Sequence, residues 1–198
     1  MSPRLVLVPF LLLLSQCAWK KPAPEPPKPA FRIDQDRYAL LKPKDARLEI
    51  NLKAQKAILL DKENYVVVAS DISTGKPGHE TPFGSFKITE KIKEKRSTLY
   101  GRYKDPKTGL DLGPSVDFPA PPKDAVYEGY SMPFWMRLTW DGVGIHVGHV
   151  KPGEAVSYGC IRVPAGVQPL IYEKCRVGTP VTIVGAAEGG LQPARAAR

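Results

Sequence analysis

The chain has 198 residues, 42% of them hydrophobic and 25% charged, with a net charge of +9. That leaves room for one globular domain with tails and not for several. The positive charge leaves two readings open, a soluble basic surface or attraction to a polyanion.

At the N-terminus, Arg4 precedes a Leu-rich run over residues 5–14 that ends near Cys17. A short positive region followed by an apolar run has the layout of a secretory signal. The run is too short to span a bilayer as a mature helix. Leu14-Ser15-Gln16-Cys17 resembles a bacterial lipobox, although Gln16 stands where a small residue is usual. On that reading residues 1–17 are a signal and Cys17 becomes the lipidated first residue, giving two-chain anchoring to a membrane. A plain cleaved signal is the other reading. Export sets nucleic acid aside as the partner and points to polymers of the periplasm and cell envelope.

Residues 18–30 hold five prolines between Pro22 and Pro29. Such a stretch is an extended, semi-rigid linker. Folding is expected from about Phe31 to residue 185, with residues 186–198 a small, polar, disordered tail. Residues 47–52 alternate polar and apolar, the period of a half-buried strand. Residues 56–61 and 64–70 read as further strands, the second favoured by Val66, Val67 and Val68. Residues 73–86 are turn-rich in glycine and proline. Alternation returns over 85–92. No helical period is read before Pro164.

Residues 95–130, with Tyr100, Tyr103, Phe118, Tyr127 and Tyr130, read as one long connection. Such a connection is either a functional lid or a poorly ordered excursion. Residues 132–139 and 144–147 read as strands joined by a turn at Asp141-Gly142. Residues 164–175 suit a short helix that Pro169 can break. Residues 177–184 close the domain as a strand. The fold class expected is mostly β, a sandwich or mixed β fold with one or two short helices.

Chemistry concentrates between Gly144 and Pro164. This stretch holds His146, His149 and Cys160, the last within Ser157-Tyr158-Gly159-Cys160-Ile161-Arg162. A free thiol has a pKa of about 8.5, so a cysteine nucleophile needs a histidine within hydrogen-bond reach. His146 is placed for that role. Gly159 puts no side chain before the cysteine, so backbone N–H groups can face a developing oxyanion. Three other readings of Cys160 stand beside this one: a buried small hydrophobe, a disulfide to Cys175, or a zinc ligand with His146 and His149. Cys175, in an apolar helical run, reads as a buried hydrophobe. His79 and His149 read as exposed loop histidines.

Three blocks resemble the YkuD family of L,D-transpeptidase catalytic domains. They are Ser73-Thr74-Gly75 with Thr81-Pro82-Phe83-Gly84-Ser85-Phe86, then Gly144-Ile145-His146, then Ser157 to Arg162. Tyr100-Gly101 and Met132-Pro133-Phe134-Trp135 also fit one branch of the family. The resemblance covers about residues 46–185. It implies a β-rich domain with the nucleophile on a loop at one edge. It implies Cys160 as nucleophile, His146 as general base, Gly159 in the oxyanion region and Ser157 orienting the histidine. Arg162 would steady the loop or a substrate carboxylate, and Tyr158, His149 and Tyr100 would line the substrate groove. Tyr158 stands where the family has histidine, and His149 can partly substitute for it. The implied partners are peptidoglycan stem peptides, with no metal or organic cofactor, and a monomer is expected.

Overall fold

The computed structural model describes Lys28 and residues 30–185. The signal segment with Cys17, nearly all of the linker and the tail from residue 186 lie outside the described residues. The elements are β1 (Phe31–Ile33), α1 (Gln35–Leu40), β2 (Arg47–Asn51), β3 (Lys56–Leu60), β4 (Val66–Asp71), β5 (Gly84–Lys87), β6 (Glu90–Lys104), β7 (Asp111–Pro114), β8 (Val126–Arg137), β9 (Gly144–Val147), β10 (Ile161–Val163), α2 (Gln168–Lys174) and β11 (Pro180–Val184). They form a six-stranded sheet in the order β1-β4-β3-β2-β11-β5 and a five-stranded sheet in the order β10-β9-β8-β6-β7. The mostly β architecture with two short helices is the one expected.

Strands β2, β3 and β11 alternate as their sequences require. They send Leu48, Ile50, Ala57, Leu59, Val181 and Ile183 into the core. The second sheet contributes Met136, Ile145, Ile161 and Val163, and α2 contributes Ile171. Cys175 is buried and free in the same cluster.

Three sequence expectations are corrected. Helix α1 precedes Pro164. Its six residues are too few for a helical period, and a local cap marks it instead: Asp34 accepts a hydrogen bond from the Arg37 N–H at 3.0 Å. Helix α2 starts at Gln168, so Pro169 lies in its first turn and does not break it. The stretch 95–130 is not a bare loop. Long β6 and β8 pair across it, with β7 on the outer edge. Tyrosines and glycines there hide the strand period because the arm carries exposed apolar residues, among them Leu99, Leu110 and Val126.

The five-stranded sheet sets up the site. β8 turns into β9 at the expected hairpin, with Gly142 at a φ of +100°. β10 then runs parallel to β9 at the sheet edge. A parallel neighbour needs a long return connection, and residues 148–160 supply it. Cys160 is the last residue of that return.

Candidate active site

Register decides which side chains meet. Ile161 pairs with Ile145 and Arg162 with His146. Ile145, Ile161 and Val163 turn into the core. Side chains alternate along a strand, so Cys160, Arg162 and His146 share the opposite face. There they line one cavity of about 250 Å³. Tyr100, Tyr130, Met132, His149, Ser157 and Tyr158 line it too. Gly159 shapes the loop beneath, with a φ of +110° that favours glycine.

The loop 157–162 is held from the Ser73-Thr74-Gly75 block. The N–H of Ser73 donates to the Arg162 carbonyl at 3.0 Å, and the N–H of Arg162 donates back at 2.8 Å. The N–H of Ser157 donates to the Thr74 carbonyl at 2.9 Å. Thr81 Oγ1 donates to the Gly159 carbonyl at 2.7 Å and accepts the Gly75 N–H at 2.8 Å. Buried Gln55 in turn grips Thr74, donating from Nε2 to its Oγ1 at 2.7 Å and accepting its N–H at 2.9 Å. The first motif block is therefore the cradle of the cysteine loop. Its Thr-Pro sequence was a visible signal, whereas Gln55 lies outside any motif.

His146 is buried, with its ring 6.0 Å from that of Trp135. A side chain at Gly144 would come within 2.5 Å of the Trp135 ring, so the Gly-Ile-His block needs its glycine there. His146 Nδ1 bonds to the Val147 carbonyl at 2.7 Å. A carbonyl only accepts, so Nδ1 carries the proton and Nε2 is the free base. Desolvation lowers the imidazole pKa to about 4, opposed by the Val147 bond.

Ser157 does not take the role implied for it. Its hydroxyl donates to the Cys160 carbonyl at 2.6 Å and accepts the Gly159 N–H at 3.1 Å. It ties the loop, while Val147 orients the histidine. A backbone carbonyl leaves no mark in sequence, which is why that partner was missed.

Cys160 is free and half-buried. Its thiol lies 3.7 Å from the Gly142 carbonyl, to which it donates, and is not bonded to the imidazole. Burial pushes its pKa up, opposed by the Gly144 N–H and the Arg162 charge. The resting pair is therefore a neutral thiol and a neutral imidazole. Catalytic hydrogen bonds commonly tighten only with substrate present. Because Cys175 is also free, the disulfide reading falls. Among the described residues, no three His, Cys, Asp or Glu side chains gather as a metal site needs.

Tyr158 stacks on Tyr100, with ring centroids 4.9 Å apart, and meets His79 edge-on at 4.7 Å. Lys76 Nζ sits 4.0 Å from the centre of its ring. His79 is exposed, as expected, yet it buttresses the cavity wall. Tyr100 reaches the wall through a bulge: Arg96 faces Ser131 while Gly101 already faces Gly129. Ser97 Oγ closes that bulge by accepting the N–H groups of Leu99 and Tyr100 at 3.2 and 2.9 Å. His149 stands exposed at the cavity rim.

A two-sheet β domain with a free cysteine and a neutral histidine in one cavity has the parts of a cysteine-dependent enzyme. The chain belongs to the YkuD family of L,D-transpeptidase catalytic domains, whose family model matches residues 45–183. Solved structures agree on the fold. An L,D-transpeptidase from Mycobacterium smegmatis is 19% identical, covering 71% of this chain and 59% of that one, with a TM-score of 0.54. One from Stackebrandtia nassauensis is 18% identical over 74% of this chain and 58% of that one, with a TM-score of 0.52. The Ldtfm–avibactam carbamoyl enzyme is 26% identical over 72% of this chain and 50% of that one, with a TM-score of 0.52. This chain spans under two thirds of the length of each of these three. No curated protein matches the sequence.

Proposed function

We propose that the chain is an L,D-transpeptidase acting on peptidoglycan stem peptides through a thioester on Cys160. The observation that carries this reading is that Cys160, in the residue just before β10, and His146, on the neighbouring β9, line a single cavity. His146 Nε2 takes the thiol proton as the sulfur attacks the carbonyl joining a diamino acid to the terminal D-alanine. The carbon–nitrogen bond breaks, and the leaving amine takes the proton back from the imidazole. An amine from a second stem then attacks the thioester, and the sulfur leaves as the thiol with the proton His146 relays.

The oxyanion needs a donor. The Gly159 N–H is committed to Ser157. Thr81 fixes the Gly159 carbonyl, and in a trans peptide the next N–H points the opposite way. That leaves the Cys160 N–H as the oxyanion donor. The carbamoyl enzyme among the structural relatives supports an electrophile being held covalently at such a site.

The chain is further proposed to work outside the cytoplasm, held to a membrane by lipid on Cys17. The test of the activity is incubation of the purified chain with disaccharide tetrapeptides and mass analysis of the products. A crosslinked dimer, lost in Cys160→Ala, is expected. Tripeptide without dimer would instead make the enzyme a hydrolase, and no change in the stems would remove the activity altogether.

A further inference from the structure

The sulfur of Cys160 borders two places. One is the cavity, whose lining holds Arg162 and two histidines but no aspartate or glutamate. The other is the turn between β8 and β9. Its Gly142 carbonyl lies 3.7 Å from the thiol and does not line the cavity.

The turn is tied at both ends. The N–H groups of Leu138 and Thr139 donate to the Val143 carbonyl at 2.9 and 3.2 Å, and the Val143 N–H donates to Thr139 Oγ1 at 3.0 Å. Val143 sets the turn against the cysteine loop, its Cγ2 lying 3.8 Å from where a Gly159 Cβ would stand. Just before Gly142 come Trp140, 76% exposed, and Asp141, also exposed and without an ion pair among the described residues. Trp135, on the strand that leads in, is instead buried, and its indole N–H donates to Glu90 at 3.0 Å. An indole face, a carboxylate and a carbonyl all attract a cation, and tryptophan is the best aromatic partner for one.

The second stem brings such a cation. Its attacking group is a primary amine with a pKa of about 10.4, so it reaches the enzyme as an ammonium on an aliphatic chain. A cavity with an arginine and no carboxylate repels it. We infer that the turn at Trp140, Asp141 and Gly142 is the acceptor subsite. The aliphatic chain lies over the indole, the ammonium meets the Asp141 carboxylate, and the nitrogen passes to the Gly142 carbonyl beside the thioester. This rests on the stem-peptide reading above. The ammonium gives one proton to solvent to become the attacking amine. As its nitrogen bonds to the thioester carbon it gives a second to His146 Nε2, and the carbon–sulfur bond breaks with that proton passing to the sulfur.

The test starts from acyl-enzyme already formed on the full chain, so it does not depend on how fast the donor reacts. Acceptor stems are built on the diamino acid of that donor. One keeps the free amine, and two cannot attack: one trimethylated on the amine and still a cation, one acetylated and neutral. Dimer made from the first is read by mass, with each of the others as competitor. In wild type the trimethylated stem is expected to inhibit about 5-fold better than the acetylated one, the worth of an exposed cation–aromatic contact. That preference should vanish in Trp140→Ala and survive in part in Trp140→Phe. In Asp141→Asn it should drop and lose its dependence on salt. Equal inhibition by the two in wild type overturns the inference, and that comparison needs no variant to fold. So does an equal weakening of both in Trp140→Ala, the mark of a shifted turn, and so does acyl-enzyme that only water resolves. If no stem acylates Cys160 while iodoacetamide still alkylates it, the stem-peptide reading fails and the inference goes with it.

Discussion

At the scale of the residue, the account turns on two buried groups that both prefer to be neutral. Desolvation lowers the His146 pKa to about 4 and raises that of the Cys160 thiol. The sign follows directly. The base is unprotonated and competent well below pH 6.5, so kcat/KM for acylation should hold its value down to about pH 5 and fall only near 4. The thiol is un-ionised at pH 7, so iodoacetamide alkylation of Cys160 without substrate should keep rising from pH 7 through pH 9. A plateau of alkylation below pH 7 would mean a preformed thiolate–imidazolium pair and would contradict the neutral resting state. Sequence spacing nominated the right neighbours for Cys160. It could not give their charge state, because desolvation comes from burial that exists only once the sheets have folded.

At the scale of the element, the β6–β8 arm brings Tyr100 to the catalytic loop. The bulge at residues 97–100 lies directly over Gly129, where a Cβ would come within 1.9 Å of the Ser97 carbonyl oxygen. Gly129→Ala should therefore push the bulge away at a cost of about 1–3 kcal/mol and separate Tyr100 from Tyr158. The separation should raise KM for the donor several-fold. Tyr100→Ala should raise KM by a similar factor with a smaller stability loss, since a stacked pair contributes about 0.5–1.5 kcal/mol. Chemical denaturation with steady-state kinetics checks both. An unchanged KM in both variants would show that the arm is scaffolding only. The arm was the least legible part of the chain. Residues 47–52 announced their strand because one face of it is buried, while residues 144–147, buried on both faces, were marked by the Asp141-Gly142 turn before them. The arm, solvated on much of its surface, obeys no such alternation, and α1 is too short to show any period. The cysteine loop was legible as motif, and so was Thr81, whose hydroxyl anchors it; the Val147 carbonyl that holds His146 is backbone, which no side-chain pattern records.

At the scale of the whole molecule, the cysteine sits at the edge of one sheet while the strands that cradle its loop belong to the other. Ser73, Thr74 and Gly75 leave β4 of the six-stranded sheet to bond the loop that feeds β10. The two sheets must therefore be assembled before the site exists. A destabilised core should cost activity through loss of folded protein and leave the kinetic constants of the remainder unchanged. The N-terminal reading belongs to this scale as well. If Cys17 carries lipid, intact mass from the native host should show a diacylglyceryl-sized increment, and Cys17→Ala should move the protein from the membrane fraction to the soluble one. An unmodified soluble wild-type protein would contradict the anchor without touching the catalytic account.

The most direct measurement is intact mass of the purified chain mixed with a tetrapeptide stem and quenched in acid, followed by peptide mapping. The account predicts a mass increment equal to the stem minus its terminal D-alanine, on Cys160, absent in Cys160→Ala and slowed at least 100-fold in His146→Gln. An increment on another residue, or acylation that proceeds unchanged without the imidazole, would contradict it.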